Sequence, residues 1–346
     1  MSKQRVHYLS LASVISAFAV VMLHTNGCFW SFSKEQYWVT ANIIESVMYF
    51  AVPVFFMITG ATLIDYRDRY TSKEYAWKRI QKTLIPFIIW SFIGIIYLVL
   101  KGSWVIEWNI GGVKNAFIKI INIDVISIYW FFGAIFSIYL SIPLFASVQK
   151  EMRMKIFTYI VISVFVLNCM VPFICQIFDI SYAANKVTVS VGGGYIIFIL
   201  LGYILSKKEL SPRARYLVYA LAIFGLLLHI LGTYYLSFEA GQIIQTYKGY
   251  FNVPCILYSV GIFVFIKQIG EKIKNEKVIS IIERLSSYTF AVYLLHWFIM
   301  DIMVRELGIN THSIVYRIGA PSIIFLICIG ITWLIRKIPV VRKILP

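Results

Sequence analysis

Charge is scarce in this chain. Only 14% of its 346 residues are charged and 60% are apolar, whereas a soluble domain carries about a quarter charged residues. Too few charges remain to coat a water-facing surface, so a soluble globular fold is excluded. No polar stretch is long enough to form a separate soluble domain, and residues 1–346 read as a single domain. Cysteine is also rare. Cys28, Cys169, Cys175, Cys255 and Cys328 are odd in number, scattered and mostly set in apolar runs. That pattern excludes a disulfide framework and shows no metal-ligand spacing, so no metal is expected; the thiols read as ordinary buried side chains. Low-complexity segments and evident internal repeats are missing too. The glycine-rich "VGGGY", residues 191–195, lacks the Gly-Lys-Ser/Thr of a phosphate loop and reads as close helix packing.

What fills the chain is a succession of apolar runs of about 20 residues, the length that crosses a bilayer as a helix. They predict an all-α, polytopic membrane protein with ten transmembrane helices, at about 8–29, 41–64, 84–100, 128–148, 156–177, 190–206, 216–236, 250–268, 285–304 and 314–335. An even number puts both termini on one side. With the N-terminus cytoplasmic, 24 of the 32 lysines and arginines fall inside and 8 outside, as the positive-inside rule requires. The expectation is a multi-pass protein of the plasma membrane with both termini cytoplasmic. The same bias explains the net charge of +16 and removes any need for a nucleic-acid partner. Lys3 and Arg5 before the first run resemble a signal peptide. The run is long for one and no small-residue cleavage site follows, so an uncleaved first helix is expected. Phe29, Trp30, Tyr37, Trp38, Trp104 and Trp108 cluster near the predicted interfaces, as an aromatic belt does.

Against this apolar background each intramembrane ionisable group is a functional candidate, because burying it is costly. His24, in "AVVMLHTNGCFW", lies 16 residues beyond Tyr8. At 1.5 Å per residue that is roughly 24 Å from the cytoplasmic end, in the outer third of the membrane. Glu45 stands about one turn into the next span, at similar depth. A carboxylate beside an imidazole fixes its tautomer and stabilises the imidazolium, which suits a general base. The alternative is an interfacial carboxylate with no such role. His296, in "SYTFAVYLLHW", falls near mid-membrane and is either functional or a bond to another helix. His229 has no motif around it and reads as structural; His7 and His312 are interfacial, and Asp301 has Arg305 at i+4, a helix ion pair. Pro53, Pro86, Pro143 and Pro254 predict kinks. The loop at 65–83 carries six cations, among them Arg67, Lys78, Arg79 and Lys82. Inside retention explains them, and so does a dock for a phosphate-rich cytoplasmic molecule.

Four segments, in order, carry a likeness: "YLSLASVISAFAVVMLHTN" (8–26) with His24; "VPVFFMITGATLI" (52–64), with Thr59 where Phe-Phe-x-x-Ser-Gly has serine; "KRIQKTLIPFIIW" (78–90); and "SSYTFAVYLLHWFIM" (286–300), with His296 in a Tyr-Leu-x-His pattern. Weaker matches are "YWFFGAIFSIYLSIPLF" (129–145) and "YIIFILLGYILS" (195–206). Together they resemble the membrane-bound acyltransferase-3 family over nearly the whole chain. Two positions depart from it. Ser10 and Ser13 stand where the family has an aspartate and an arginine. The loss of the arginine either leaves the donor site open or moves its task to Arg79 and its neighbours.

The resemblance implies acyl transfer from cytoplasmic acyl-CoA, with acetyl-CoA the expected donor, to a hydroxyl of an extracytoplasmic glycan or lipid-linked saccharide of the cell envelope. In that reading His24 is the general base with Glu45 beside it. His296 holds the thioester oxygen or the channel, and Arg79, Lys78, Lys82 and Arg67 meet the CoA phosphates. Trp104, Trp108 and Trp130 are the candidate saccharide contacts; an aromatic belt and a solvated loop at about 101–127 are the plainer reading. Membrane lipid surrounds the chain, and a homo-oligomer stays open. A secondary transporter or exporter of a glycan precursor would show similar spans, kinks and buried charges, and a non-catalytic sensor is a third class. Thioester hydrolysis or label transfer from acetyl-CoA separates the enzyme from both.

Overall fold

The computed structural model describes residues 7–105, 107, 109–183 and 187–338. Trp108 lies outside the described residues. Helix makes up 78% of the described residues, and none of them is in a strand. In chain order the helices are α1 (His7–Thr25), α2 (Gln36–Met48), α3 (Ala51–Leu63), α4 (Ser72–Arg79), α5 (Ile85–Leu100), α6 (Ile110–Ile121), α7 (Trp130–Phe145), α8 (Lys150–Val164), α9 (Val171–Ile177), α10 (Ile196–Lys207), α11 (Pro212–Ala240), α12 (Val253–Lys272), α13 (Glu276–Ser286), α14 (Thr289–Leu307) and α15 (Ile314–Ile335).

Among the described residues, eight helical segments are long and apolar enough to cross a membrane, and the α13–α14 pair, bent by 54°, makes up to nine. Each expected span coincides with a helix, but not each is long. The run at 190–206 yields only α10, a helix of 12 residues, about 18 Å at 1.5 Å per residue and short of a hydrocarbon core of about 30 Å. Residues 101–127, read from sequence as a loop, contain α6, whose first turn is closed by the Asn109 side chain accepting from the Gly112 N–H at 2.8 Å.

The chain divides into two compact units: Met1–Leu63 with Gln149–Gly330, and Ile64–Val148 with Ile331–Pro346. In the first, α1 packs against α3, α12, α13 and α14, α11 pairs with α12, and α2 lies on α11. Two glycines bring α3 and α10 together. A Cβ on Gly60 would collide with the Ile199 backbone, and one on Gly202 with the Met57 backbone. Small residues let membrane helices approach this closely. Gly202→Ala is therefore expected to destabilise the fold by about 1–3 kcal/mol, the usual range for overpacking. Thermal unfolding in detergent checks this, and an unchanged midpoint would contradict it.

In the second unit, Thr71 and Glu74 form a reciprocal capping box that starts α4, satisfying two of the backbone donors orphaned at a helix N-terminus. A π-helical turn at Ile80–Leu84 joins α4 to α5. Tyr129 donates its hydroxyl to the Trp90 carbonyl at 3.0 Å, and Tyr75 to that of Tyr139 at 3.0 Å. These bonds tie α7 and its lead-in to α5 and α4.

Candidate active site

His24 occupies the last turn of α1 and is half-buried. It makes no hydrogen bond to a described residue. Its neighbour is His296 of α14: the ring centroids lie 5.0 Å apart, tilted by 40°. His296 is fully buried, and its Nδ1 lies 3.0 Å from the Val292 carbonyl oxygen. A carbonyl only accepts, so Nδ1 carries the proton and Nε2 keeps the lone pair. That Nε2 has no partner among the described residues. The pair thus holds one imidazole of assigned tautomer against another with both nitrogens uncommitted, an arrangement able to accept a proton and orient the acceptor.

Glu45 takes other partners than the one its depth suggested. It is buried, and its Oε2 accepts from Asn26 Nδ2 at 3.4 Å. The charge facing it is Lys248. The depth estimate was close, since Asn26 stands two residues past His24. What depth along a helix does not specify is the direction around it. Ser13, where the resemblance places arginine, meets Thr289 at 3.0 Å between their hydroxyls. That hydroxyl pair links α1 and α14 about three turns before His24 and about two turns before His296.

The cations proposed for donor binding all belong to the second unit. Arg67 donates to Ser147 Oγ at 3.1 Å, Lys78 Nζ lies 3.8 Å from the Tyr70 ring centroid, and Arg79 lies between Tyr75 and Tyr139 at 5.8 and 5.3 Å. Arg79 Nε is buried without a hydrogen-bond partner among the described residues. Lys82 is exposed on the π-helical turn. Of the tryptophans, Trp104 faces Lys119 at 5.5 Å, and Trp130 is 39% exposed at the start of α7.

Two functional candidates escaped the sequence. Lys248 and Arg317 are each 1% exposed, although the expected spans count both among the eight cations on the outer side. Arg317 sits inside an apolar run, which is a signal in itself; Lys248 lies in a polar turn and gives none. Lys248 Nζ lies over the rings of Phe29 and Tyr49, at 4.4 and 4.5 Å. Burial pulls its ammonium down to about 8, while the Glu45 carboxylate works in the opposite direction.

A family model described as an acyltransferase domain matches residues 6–336, nearly the whole chain. No curated protein and no solved structure matches it.

Proposed function

Because the chain belongs to the acyltransferase-3 family, we propose that it moves an acetyl group from cytoplasmic acetyl-CoA to a hydroxyl of an extracytoplasmic glycan or lipid-linked saccharide. The observation that carries this reading is the contact of the His24 and His296 rings. It joins two residues, far apart in sequence, that the family likeness singles out independently. In the proposed reaction a neutral His24 takes the acceptor hydroxyl proton as the oxygen attacks the thioester carbonyl. The tetrahedral intermediate then expels the CoA thiolate, which recovers the proton from the His24 imidazolium. Products are the acetyl ester and free CoA, and His24 returns to its starting state. In this proposal His296, its own Nδ1 proton held by Val292, turns its unpartnered Nε2 lone pair to a His24 N–H once substrates are bound, and so keeps the opposite nitrogen of His24 free for the substrate. It fills the orienting role that the sequence suggested for Glu45.

The CoA phosphates are proposed to meet Arg79, Lys78, Lys82 and Arg67. The unpartnered Nε of Arg79 is the feature that favours this, since a guanidinium pairs well with phosphate. Arg79→Ala is expected to raise KM for acetyl-CoA about tenfold, from the loss of one charged hydrogen bond, with kcat little changed. Steady-state kinetics in vesicles checks it; a lower kcat at unchanged KM would remove Arg79 from donor binding. Trp104 and Trp130 are proposed to stack on acceptor sugars. The function as a whole is tested by mass spectrometry of surface glycans with and without the gene. A lost acetyl increment is expected, and identical glycans would contradict it.

A further inference from the structure

Away from the imidazole pair, α2, α11 and the connection at 241–252 carry a set of buried polar atoms with no hydrogen-bond partner among the described residues. Asn42 Oδ1, Ser46 Oγ, Thr233 Oγ1 and Lys248 Nζ are buried without a hydrogen-bond partner among the described residues. Asn42 and Ser46 lie one turn apart on α2, and His229 and Thr233 one turn apart on α11, which packs against α2. Asn42 donates its amide to the Ile230 carbonyl at 2.9 Å, next to His229. The His229 ring lies 5.1 Å from that of Tyr49, and Lys248 Nζ lies 4.5 Å from the same Tyr49 ring. His229 itself has no well-aligned bond, only the Ser46 backbone facing it. Buried polar atoms are nearly always satisfied, so a cluster of orphans marks a place where something else binds.

The charge is unbalanced as well. Among the described residues Arg317 donates only to neutral groups, Asn26 Oδ1 at 3.4 Å and Thr40 Oγ1 at 2.8 Å, and its Nε has no partner. Asn26 bridges it to Glu45, and Glu45 also faces Lys248. Two buried cations thus share one buried carboxylate. Water satisfies hydroxyls and amides, but it does not neutralise a surplus charge, and an uncompensated buried charge is strongly unfavourable. An anionic group with hydroxyls around it meets both needs.

We propose that Lys248, Arg317 and the orphaned Asn42, Ser46 and Thr233 side chains bind an acidic saccharide, the cations taking its anionic group and the neutral side chains its hydroxyls. The site is an acceptor subsite beyond His24, and this assignment rests on the acyl-transfer reading. The anionic group is a carboxylate, as in a uronic acid, or a phosphate, as in a lipid-linked precursor.

The test measures binding without turnover. The thermal midpoint of the full chain in detergent micelles is followed against D-glucose, D-glucuronate and glucose 1-phosphate. A saturable rise with at least one of the two anionic sugars is expected, and none with glucose. The anion that acts identifies the source of the charge. Lys248→Met should weaken binding at least tenfold, and Lys248→Arg should preserve it. Desulfo-CoA should not displace the sugar. Should Lys248→Met fail to fold, the wild-type sugar series, the displacement by desulfo-CoA and Lys248→Arg still decide. Equal response to glucose, no response to any sugar, undiminished binding by a folded Lys248→Met variant, lost binding by a folded Lys248→Arg variant or displacement by desulfo-CoA would each overturn the proposal. Absent binding alongside intact acetyl transfer defeats only this subsite, whereas intact binding without transfer from acetyl-CoA defeats only the acyl-transfer reading.

Discussion

His24→Ala is expected to lower acetyl transfer by about 10²–10⁴-fold, the contribution of a positioned general base, while the protein still folds and inserts. The structure supports the second half of that expectation. His24 bonds to no described residue, so its loss orphans no partner, and it is only half-buried at the end of α1. The deletion leaves a cavity at a helix end and leaves α1 packed on α3, α12 and α14. Transfer is measured with labelled acetyl-CoA, and folding by the thermal midpoint of the same preparation. Near-normal transfer by a folded variant would exclude His24 as the base.

His296 gives the second large effect, by a different route. It is buried with its Nδ1 committed to Val292 and its Nε2 without a partner among the described residues, beside His24. A ring that orients the base acts through geometry, and misplacing a catalytic group by about 1 Å costs about 10²-fold. His296→Phe keeps a ring of similar shape and removes the lone pair, so kcat should fall by about 10²-fold with KM for acetyl-CoA little changed. His296→Gln, whose amide oxygen accepts a hydrogen bond, should recover part of the loss. A purely structural His296 would show the opposite pattern: a lower thermal midpoint, no recovery by glutamine, and full turnover in whatever protein folds.

Much of the architecture was legible because apolar runs are the strongest signal a membrane chain carries. The long helices sit where hydropathy placed them, from α1 at His7–Thr25 to α15 at Ile314–Ile335. The limits of that signal are equally physical. Hydropathy measures composition along a run, not where its helix stops, so the run at 190–206 hid a helix of 12 residues preceded by a short 3-10 turn at Ser190–Gly192. Likewise, α6 in the segment at 101–127 is too short and mixed to register as a span.

The site was legible in part for the same kind of reason. His24 and His296 stood out because ionisable groups in lipid need a purpose, and the structure brings their rings together. Glu45 shared the depth of His24 but turned toward Asn26 and Lys248, since spacing gives height along a helix and not azimuth. Lys248 read as an ordinary loop cation. Only the folding of its turn over Phe29 and Tyr49 buries it, and that is a tertiary event with no local pattern.

The most direct measurement uses vesicles with one orientation of the chain, labelled acetyl-CoA on the cytoplasmic side only and a saccharide acceptor on the other. Acetyl label should appear on the acceptor with wild-type protein and fall to background with His24→Ala. Equal labelling by the two proteins, or labelling only when donor and acceptor share a side, would contradict a membrane-held imidazole that joins a cytoplasmic donor to an outer acceptor.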